Sequence, residues 1–169
     1  MTDLVTRLRS SGADLSALRQ PLVAGEPWQL SDSYGTEPEA TWGPRELLAH
    51  VEEMLTYWID ELRRVQAGDG TAAVPFGRIA SDASRLRRID EARQHDVGRL
   101  LDDIRIGLDD AVSFADGLDD DDRTRLGTHP TRGELTIEAS IERFLVTHLE
   151  DHVVQLREIL DRNPGAQGG

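Results

Sequence analysis

Apolar side chains recur every three or four residues along four stretches of this chain, the periodicity of helices with one buried face. The pattern is clearest in the second stretch, from Pro44 to Ala67. Proline suits a first helical turn, because its missing N–H is not needed there. The buried face of this helix is predicted to carry Leu47, Val51, Met54, Trp58, Leu62 and Val65. The other predicted helices cover residues 3–19, 79–117 with a break near His95, and 136–162.

The segments between these helices are rich in Gly, Pro, Ser and Asp and are predicted to be loops. No stretch alternates apolar and polar residues over the length of a strand, so we expect no sheet. The helices then have to bury their apolar faces against one another, and a bundle achieves this. The sequence therefore predicts an all-α fold, with one four-helix bundle domain over residues 1–162 and a disordered C-terminal tail over residues 163–169.

The balance of charges argues against one class of partner. The chain has 32 acidic and 19 basic residues, and its formal net charge is -13. Binding to a phosphate backbone needs a cluster of positive charge, so we expect no nucleic-acid partner. No apolar run approaches the roughly 18 residues of a membrane span, and the N-terminus lacks the pattern of a signal peptide. We therefore expect a cytoplasmic protein that does not bind membranes.

The chain has no cysteine, which excludes disulfides, thiolate metal ligands and a cysteine nucleophile. Histidines are the remaining candidates for metal chemistry. His148 and His152 occupy the apolar face of the last predicted helix, and their spacing places the two Cβ atoms about 5–6 Å apart. His50 lies on or beside the buried face of the second predicted helix. If these helices pack together, three imidazoles converge.

We predict that His50, His148 and His152 bind one divalent metal ion. Three protein ligands with one open position are typical of catalytic zinc rather than structural zinc. The alternative is that these histidines are core residues, hydrogen-bonded to carboxylates or to the backbone. Spacing alone does not decide between the two.

Three further residues are candidates for catalysis. Glu53 follows His50 by three residues, Asp151 follows His148 by three, and His129 precedes a proline in a predicted loop. Each can orient a ligand or accept a proton, and each can equally be a solvated or structural side chain. The acidic run at residues 119–122 lacks the spacing of an EF-hand and is predicted to be a solvated turn.

Four segments together resemble the DinB/YfiT-like superfamily of small metal-binding helical bundles. These segments are Trp42-Gly43-Pro44-Arg45-Glu46-Leu47-Leu48-Ala49-His50, Pro75-Phe76-Gly77-Arg78, Thr128-His129-Pro130-Thr131-Arg132-Gly133-Glu134-Leu135-Thr136, and His148-Leu149-Glu150-Asp151-His152 with Gln155-Leu156 after it. The resemblance implies helices in an up-down-down-up order, a homodimer, and zinc or nickel on His50, His148 and His152. It also draws attention to Trp42, Phe76, Arg78 and Arg132 as possible pocket residues.

The resemblance also implies an enzyme that uses a low-molecular-weight thiol such as bacillithiol, mycothiol or glutathione, as mycothiol-dependent maleylpyruvate isomerase does. We expect an S-transferase that joins such a thiol to a small electrophile. The sulfur has to come from outside, because the chain has no cysteine. All its basic residues are arginine, which is typical of a GC-rich genome and favours mycothiol. The alternatives are a metal-dependent hydrolase of amides or esters, and a non-enzymatic bundle that binds a ligand or dimerises.

Overall fold

The computed structural model describes residues 1–30 and 42–163, and most of these residues are helical. The helices are α1 (Thr2–Ala24), α2 (Pro44–Gln66), α3 (Ala83–Ala92), α4 (Val97–Gly117), α5 (Asp120–Thr124), α6 (Ile137–Ile141) and α7 (His148–Arg162). A π-helical segment (Glu142–Thr147) joins α6 to α7 without interruption. Residues 31–41 of the predicted loop at 23–41 and residues 164–169 of the predicted tail at 163–169 lie outside the described residues.

The long helices pack in pairs around one apolar core. Helix α1 packs against α4 and α7, and α2 packs against the same two helices. The six residues predicted for the apolar face of α2 are all buried, which confirms that prediction. Within the described residues, no helix has both the length and the apolar character needed to cross a bilayer.

Two side-chain caps explain why the predicted third helix is interrupted. The side chain of Asp82 accepts hydrogen bonds from the backbone N–H groups of Ser84 and Arg85, so α3 begins at Ala83 rather than at Ile79. The side chain of Asp96 accepts one from the N–H of Arg99 at 2.8 Å and starts α4. Such caps satisfy N–H groups that have no partner within the helix. The predicted break near His95 is confirmed.

Helix α1 is longer than predicted, because it continues through Pro21 to Ala24. The added turn buries Leu22 completely in the core. The indole N–H of Trp28 donates to the carbonyl oxygen of Leu22 at 2.8 Å, which satisfies one of the carbonyls exposed at the helix end. Burial and this hydrogen bond from Trp28 compensate for the hydrogen bond that proline cannot make.

The prediction that the chain forms no sheet is wrong. Strands β1 (Val74–Pro75), β2 (Leu126–His129) and β3 (Gly133–Thr136) form a small sheet in that order. Strand β1 pairs with β2 in parallel, and β2 pairs with β3 antiparallel through a hairpin. The strands are two to four residues long, too short for alternation to be recognised.

The acidic run is also different from the prediction. Residues 120–124 form the short helix α5 instead of a turn, and the side chain of Asp119 caps it by accepting from the N–H of Asp122 at 2.8 Å. Three aspartates then occupy the first helical turn, where the helix dipole favours negative charge. The run has a local structural role in starting this helix.

Candidate metal centre

The structure brings the three predicted ligands together. His50 lies on α2, His148 is the first residue of α7, and His152 follows it by one turn. The Nε2 atoms of His50 and His148 are 3.3 Å apart. One ligand atom from each of the three imidazoles lies within 4.8 Å of the other two. His50 and His152 are buried, whereas His148 is half-buried.

These distances fit a divalent metal ion. With Zn–N bonds of 2.0–2.1 Å, two nitrogens bound to one tetrahedral ion are about 3.3 Å apart. The His50–His148 separation therefore already has the value expected for two ligands of one ion. Imidazole suits zinc and nickel, as well as copper and iron, so the ligand set does not select one metal. The cluster can therefore hold a metal ion of undetermined identity.

The environment keeps the imidazoles in the form that binds metals. Burial lowers the pKa of His50 well below its ordinary value, and His152, His148, Arg85 and Arg78 lower it further. Burial also lowers the pKa of His148 to about 3, helped by His152 and Arg85. A neutral imidazole keeps the nitrogen lone pair that a metal requires. At neutral pH, His50 and His148 therefore need not lose a proton before binding an ion.

The Nδ1 atoms of His152 and His50 have different neighbours. Nδ1 of His152 lies 3.2 Å from Oε1 of Gln155, an acceptor, which places the proton on Nδ1 and leaves Nε2 for a metal. Nδ1 of His50 lies 3.4 Å from Nη2 of Arg85, a donor. Metal binding through Nε2 of His50 would place the proton on Nδ1, so Arg85 would have to turn away from this contact.

A cavity of about 820 Å³ lies beside the cluster. His50 and His148 are part of its wall, and so are the three candidate catalytic residues Glu53, His129 and Asp151. Its apolar wall includes Met54, Trp58, Leu135 and Phe144. The structure thus brings five of the six predicted site residues, all except His152, to the wall of one cavity.

Glu53 is the most deeply buried acid of this cavity wall, with its side chain 1% exposed. One of its oxygens forms a short ion pair with Arg78, whose guanidinium lies 3.6 Å from the centre of the Tyr57 ring. The other oxygen, Oε2, is buried and has no hydrogen-bond partner among the described residues. Leaving such an atom unpaired is costly, so a polar group bound in the cavity would be favoured next to it.

His129 is buried, but it is not part of the metal cluster. Its Nδ1 accepts a hydrogen bond from the backbone N–H of Thr131 at 3.2 Å, so Nε2 carries the proton. Its ring stacks on Phe144, with the centroids 5.2 Å apart. Burial lowers its pKa, and the charges of Arg132 and Arg143 lower it further. His129 is therefore a neutral hydrogen-bond donor at neutral pH.

The other suggested pocket residues have different positions. Arg78 and Arg132 line the cavity. Trp42 is buried with its ring against the edge of His50, and Phe76 is buried against Trp58 and His129. Neither aromatic residue is part of the cavity wall, so both support the site from behind.

Two arginines of the site were missed by sequence reasoning. Arg85 is a buried residue of α3, and Arg143 lies on the π-helical segment. Apolar periodicity carries no signal for either, because a buried arginine interrupts the pattern and a π-helical turn changes its period. The i+3 spacing of Gln155 from His152, like that of Glu53 from His50 and of Asp151 from His148, was a signal for a supporting side chain.

Comparisons of the chain with protein-family models, with curated proteins and with solved structures found no match. The resemblance to the DinB/YfiT-like superfamily therefore remains a hypothesis that rests on the motifs. The function has to be argued from the chemistry of the site.

Proposed function

We propose that this protein is a divalent-metal-dependent enzyme that transfers a low-molecular-weight thiol to a small electrophile. The observation that supports this most is the convergence of His50, His148 and His152 beside an open cavity of about 820 Å³, whose wall includes His50 and His148. A site with three protein ligands beside such a cavity can accept an exchangeable ligand. A closed site with only protein ligands would suit a structural role instead.

In this proposal, the three histidines hold the metal, with zinc or nickel as the first choices. When bound, the metal lowers the pKa of a coordinated thiol or water and so supplies a nucleophile at neutral pH. Glu53 accepts the proton of the thiol, since its buried Oε2 is available and Arg78 balances its charge.

Two other side chains of the cavity wall assist. His129 donates a hydrogen bond from Nε2 to the electrophile, because its Nδ1 already accepts from Thr131. Asp151 is exposed on the same wall and passes protons to solvent. Both roles rest on the position of these residues in the cavity and on their hydrogen-bonding capacity.

The proposal includes membership of the DinB/YfiT-like superfamily, with a four-helix bundle in up-down-down-up order, a homodimer and mycothiol as the thiol. The packing of α1 and α2 against both α4 and α7 supports a bundle. The order of motifs along the chain supports the superfamily. The absence of cysteine requires an external thiol in any such reaction.

A hydrolase is the second candidate, because the same buried Glu53 oxygen can accept a proton from water in place of a thiol. It would act on an amide or ester bond. A non-enzymatic bundle that binds a ligand or dimerises is the third candidate; an enclosed metal site would favour it, whereas this cluster borders a large cavity. Activity assays separate these possibilities.

The first test is the metal content of untagged protein, measured by elemental mass spectrometry. We expect about one zinc or nickel ion per chain, lost in the His148→Ala/His152→Ala variant. His95→Ala is the control, because this half-buried histidine is outside the cluster and should leave the metal content unchanged. Absence of metal after reconstitution would contradict the proposal.

The second test is conjugation of model electrophiles by the metal-loaded protein with mycothiol, bacillithiol or glutathione. Glu53→Gln should retain the metal and lower the conjugation rate by about 10²–10⁴, the usual contribution of a general base. Hydrolysis of model esters or amides without any conjugation would favour the second candidate. Metal binding with neither activity would contradict both enzymatic functions.

A further inference from the structure

Positive charge gathers on the cavity wall, although the whole chain has a net charge of -13. Four arginines are part of this wall: Arg78, Arg85, Arg132 and Arg143. They come from the loop before α3, from α3, from the β2–β3 hairpin and from the π-helical segment. Only folding brings them together, so this charge pattern is a property of the cavity and not of any one segment.

Two of these arginines already bind protein groups. Arg78 pairs with Glu53, and Nη1 of Arg85 donates to the carbonyl oxygen of Ala80 at 3.0 Å. Arg132 and Arg143, in contrast, form no hydrogen bond or ion pair with any residue that the structure describes. Both side chains are exposed, and both line the cavity. Their ten N–H donors are therefore available to a bound molecule.

The acidic side chains of the wall do not cancel this charge. Glu53 is balanced by Arg78, and Glu142 is ion-paired with Arg7 at 3.3 Å. Asp151 is the remaining acid, and it is exposed to solvent. Burial is the largest cause of the lowered pKa of His129, and the charges of Arg132 and Arg143 lower it further. This effect is consistent with an excess of positive charge at this end of the cavity.

The rest of the wall is apolar and partly aromatic. Trp58 and Phe144 stack with their centroids 4.1 Å apart and their planes 9° from parallel. Met54 and Leu135 extend this surface. An apolar body packed here would remove further nonpolar area from water, and aromatic edges favour contacts with another ring.

We propose that the electrophile bound in this cavity is a carboxylate with an apolar body, and that Arg132 and Arg143 bind the carboxylate. The inference rests on the proposed function, because that function is what makes the bound molecule an electrophile. The planar guanidinium fork matches a carboxylate through two parallel hydrogen bonds.

The test compares the binding of cinnamate and its neutral amide, cinnamamide, to the full chain by isothermal titration calorimetry. The two probes share the same apolar body and differ in charge. The titrations use metal-loaded protein and chelator-treated protein, because a carboxylate can also bind a metal directly. We expect cinnamate to bind at least about tenfold more tightly than cinnamamide in both states, since hydrogen bonds to charged groups are the stronger ones.

The Arg132→Ala/Arg143→Ala variant should lose this preference for the carboxylate and keep its affinity for cinnamamide. The matched control is Arg9→Ala/Arg87→Ala, which removes the same charge from two exposed arginines outside the cavity and should keep the preference. Arg132→Lys/Arg143→Lys should keep part of it, because lysine retains the charge but not the fork.

Three outcomes would overturn the inference: undetectable binding of cinnamate, equal affinity for both probes, or a preference that survives in Arg132→Ala/Arg143→Ala. A preference that disappears only with the chelator would also overturn it, because the metal would then bind the carboxylate. An arginine-dependent preference in a protein that binds no metal would support a carboxylate site and contradict the proposed function. Failure of the carboxylate site can thus be distinguished from failure of the proposed metal-dependent function.

Discussion

Gly77 allows the loop before α3 to approach the ring of His129 closely. Its φ angle is 81°, in the left-handed region that side chains disfavour. A Cβ at this position would overlap with Cδ2 of His129 and would lie 2.9 Å from its Nε2 and 3.3 Å from Cζ3 of Trp58. A glycine here is therefore required by both the backbone conformation and the packing of the cavity wall.

We predict that Gly77→Ala lowers the free energy of unfolding by about 2–4 kcal/mol, as the sum of backbone strain and overpacking. Urea unfolding measures this change. Gly133→Ala is the matched control, because Gly133 also has a positive φ of 73° but open space around its Cβ among the described residues. It should cost only about 1 kcal/mol. Equal losses in the two variants would show that contact with His129 is unimportant.

At the scale of elements, the π-helical segment explains how the last helix contributes so much of the cavity wall. Glu142, Arg143, Phe144 and Thr147 of this segment line the cavity together with His148 and Asp151. A π-helical turn accommodates an extra residue, so more consecutive side chains reach the same side than in an α-helix. Such segments occur frequently at functional sites.

Arg7 fixes the position of α1 relative to this region. Its guanidinium donates to both carboxylate oxygens of Glu150, at 2.9 and 2.7 Å, and to Glu142 at 3.3 Å. The hydrogen bond from Arg7 lowers the pKa of Glu150 below its ordinary value. The pKa of Glu150 is therefore lower in the folded state than in the unfolded state. The ion pair stabilises the fold fully at pH values above the pKa of Glu150 in the unfolded state. This stabilisation is lost as the pH falls through the pKa of Glu150 in the folded state.

We predict that Arg7→Ala costs about 1 kcal/mol of unfolding free energy at about pH 7, the upper range for partly exposed pairs, and much less at about pH 3.5. Urea titrations at several pH values measure the difference. Arg99→Ala, which breaks an exposed pair with Asp103 at 3.6 Å, should have almost no effect at either pH. A cost that does not depend on pH would contradict the assignment to this ion pair.

At the scale of the whole molecule, the three-histidine cluster brings together two helices that are far apart in sequence. His50 and His148 are separated by 98 positions, so an ion between them joins α2 to α7. A ligand that binds only the folded state raises its stability by mass action, by about 2.7 kcal/mol at 100 times the dissociation constant. Metal binding should therefore be visible in unfolding experiments.

We predict that saturating Zn²⁺ raises the Tm by roughly 5–10 °C relative to chelator-treated protein, the shift that corresponds to this free energy in a chain of this size. His148→Ala/His152→Ala should abolish the shift, and His95→Ala should keep it. The control is needed because a chain with a net charge of -13 can bind cations loosely on its surface. An equal shift in the double variant would indicate such surface binding.

Sequence reasoning succeeded where the signal was local. The apolar face of α2, the break before α4 and the positions of the three histidines on α2 and α7 each follow from spacing within one short segment. It failed where tertiary packing and strand pairing compete with local preference. Burial of Leu22 and the cap from Trp28 extend α1 past Pro21, and the short strands exist only because they pair across the chain.

Helical periodicity is set by neighbouring residues, so spacing along the chain was enough to predict the four main helical regions and the three histidines on or beside their apolar faces. Spacing could not show that these imidazoles meet, that Glu53 has a buried oxygen at the cavity, or that Arg132 and Arg143 join the same wall. The physical reason is that these groups come from separate elements, whose relative positions depend on packing across the whole core.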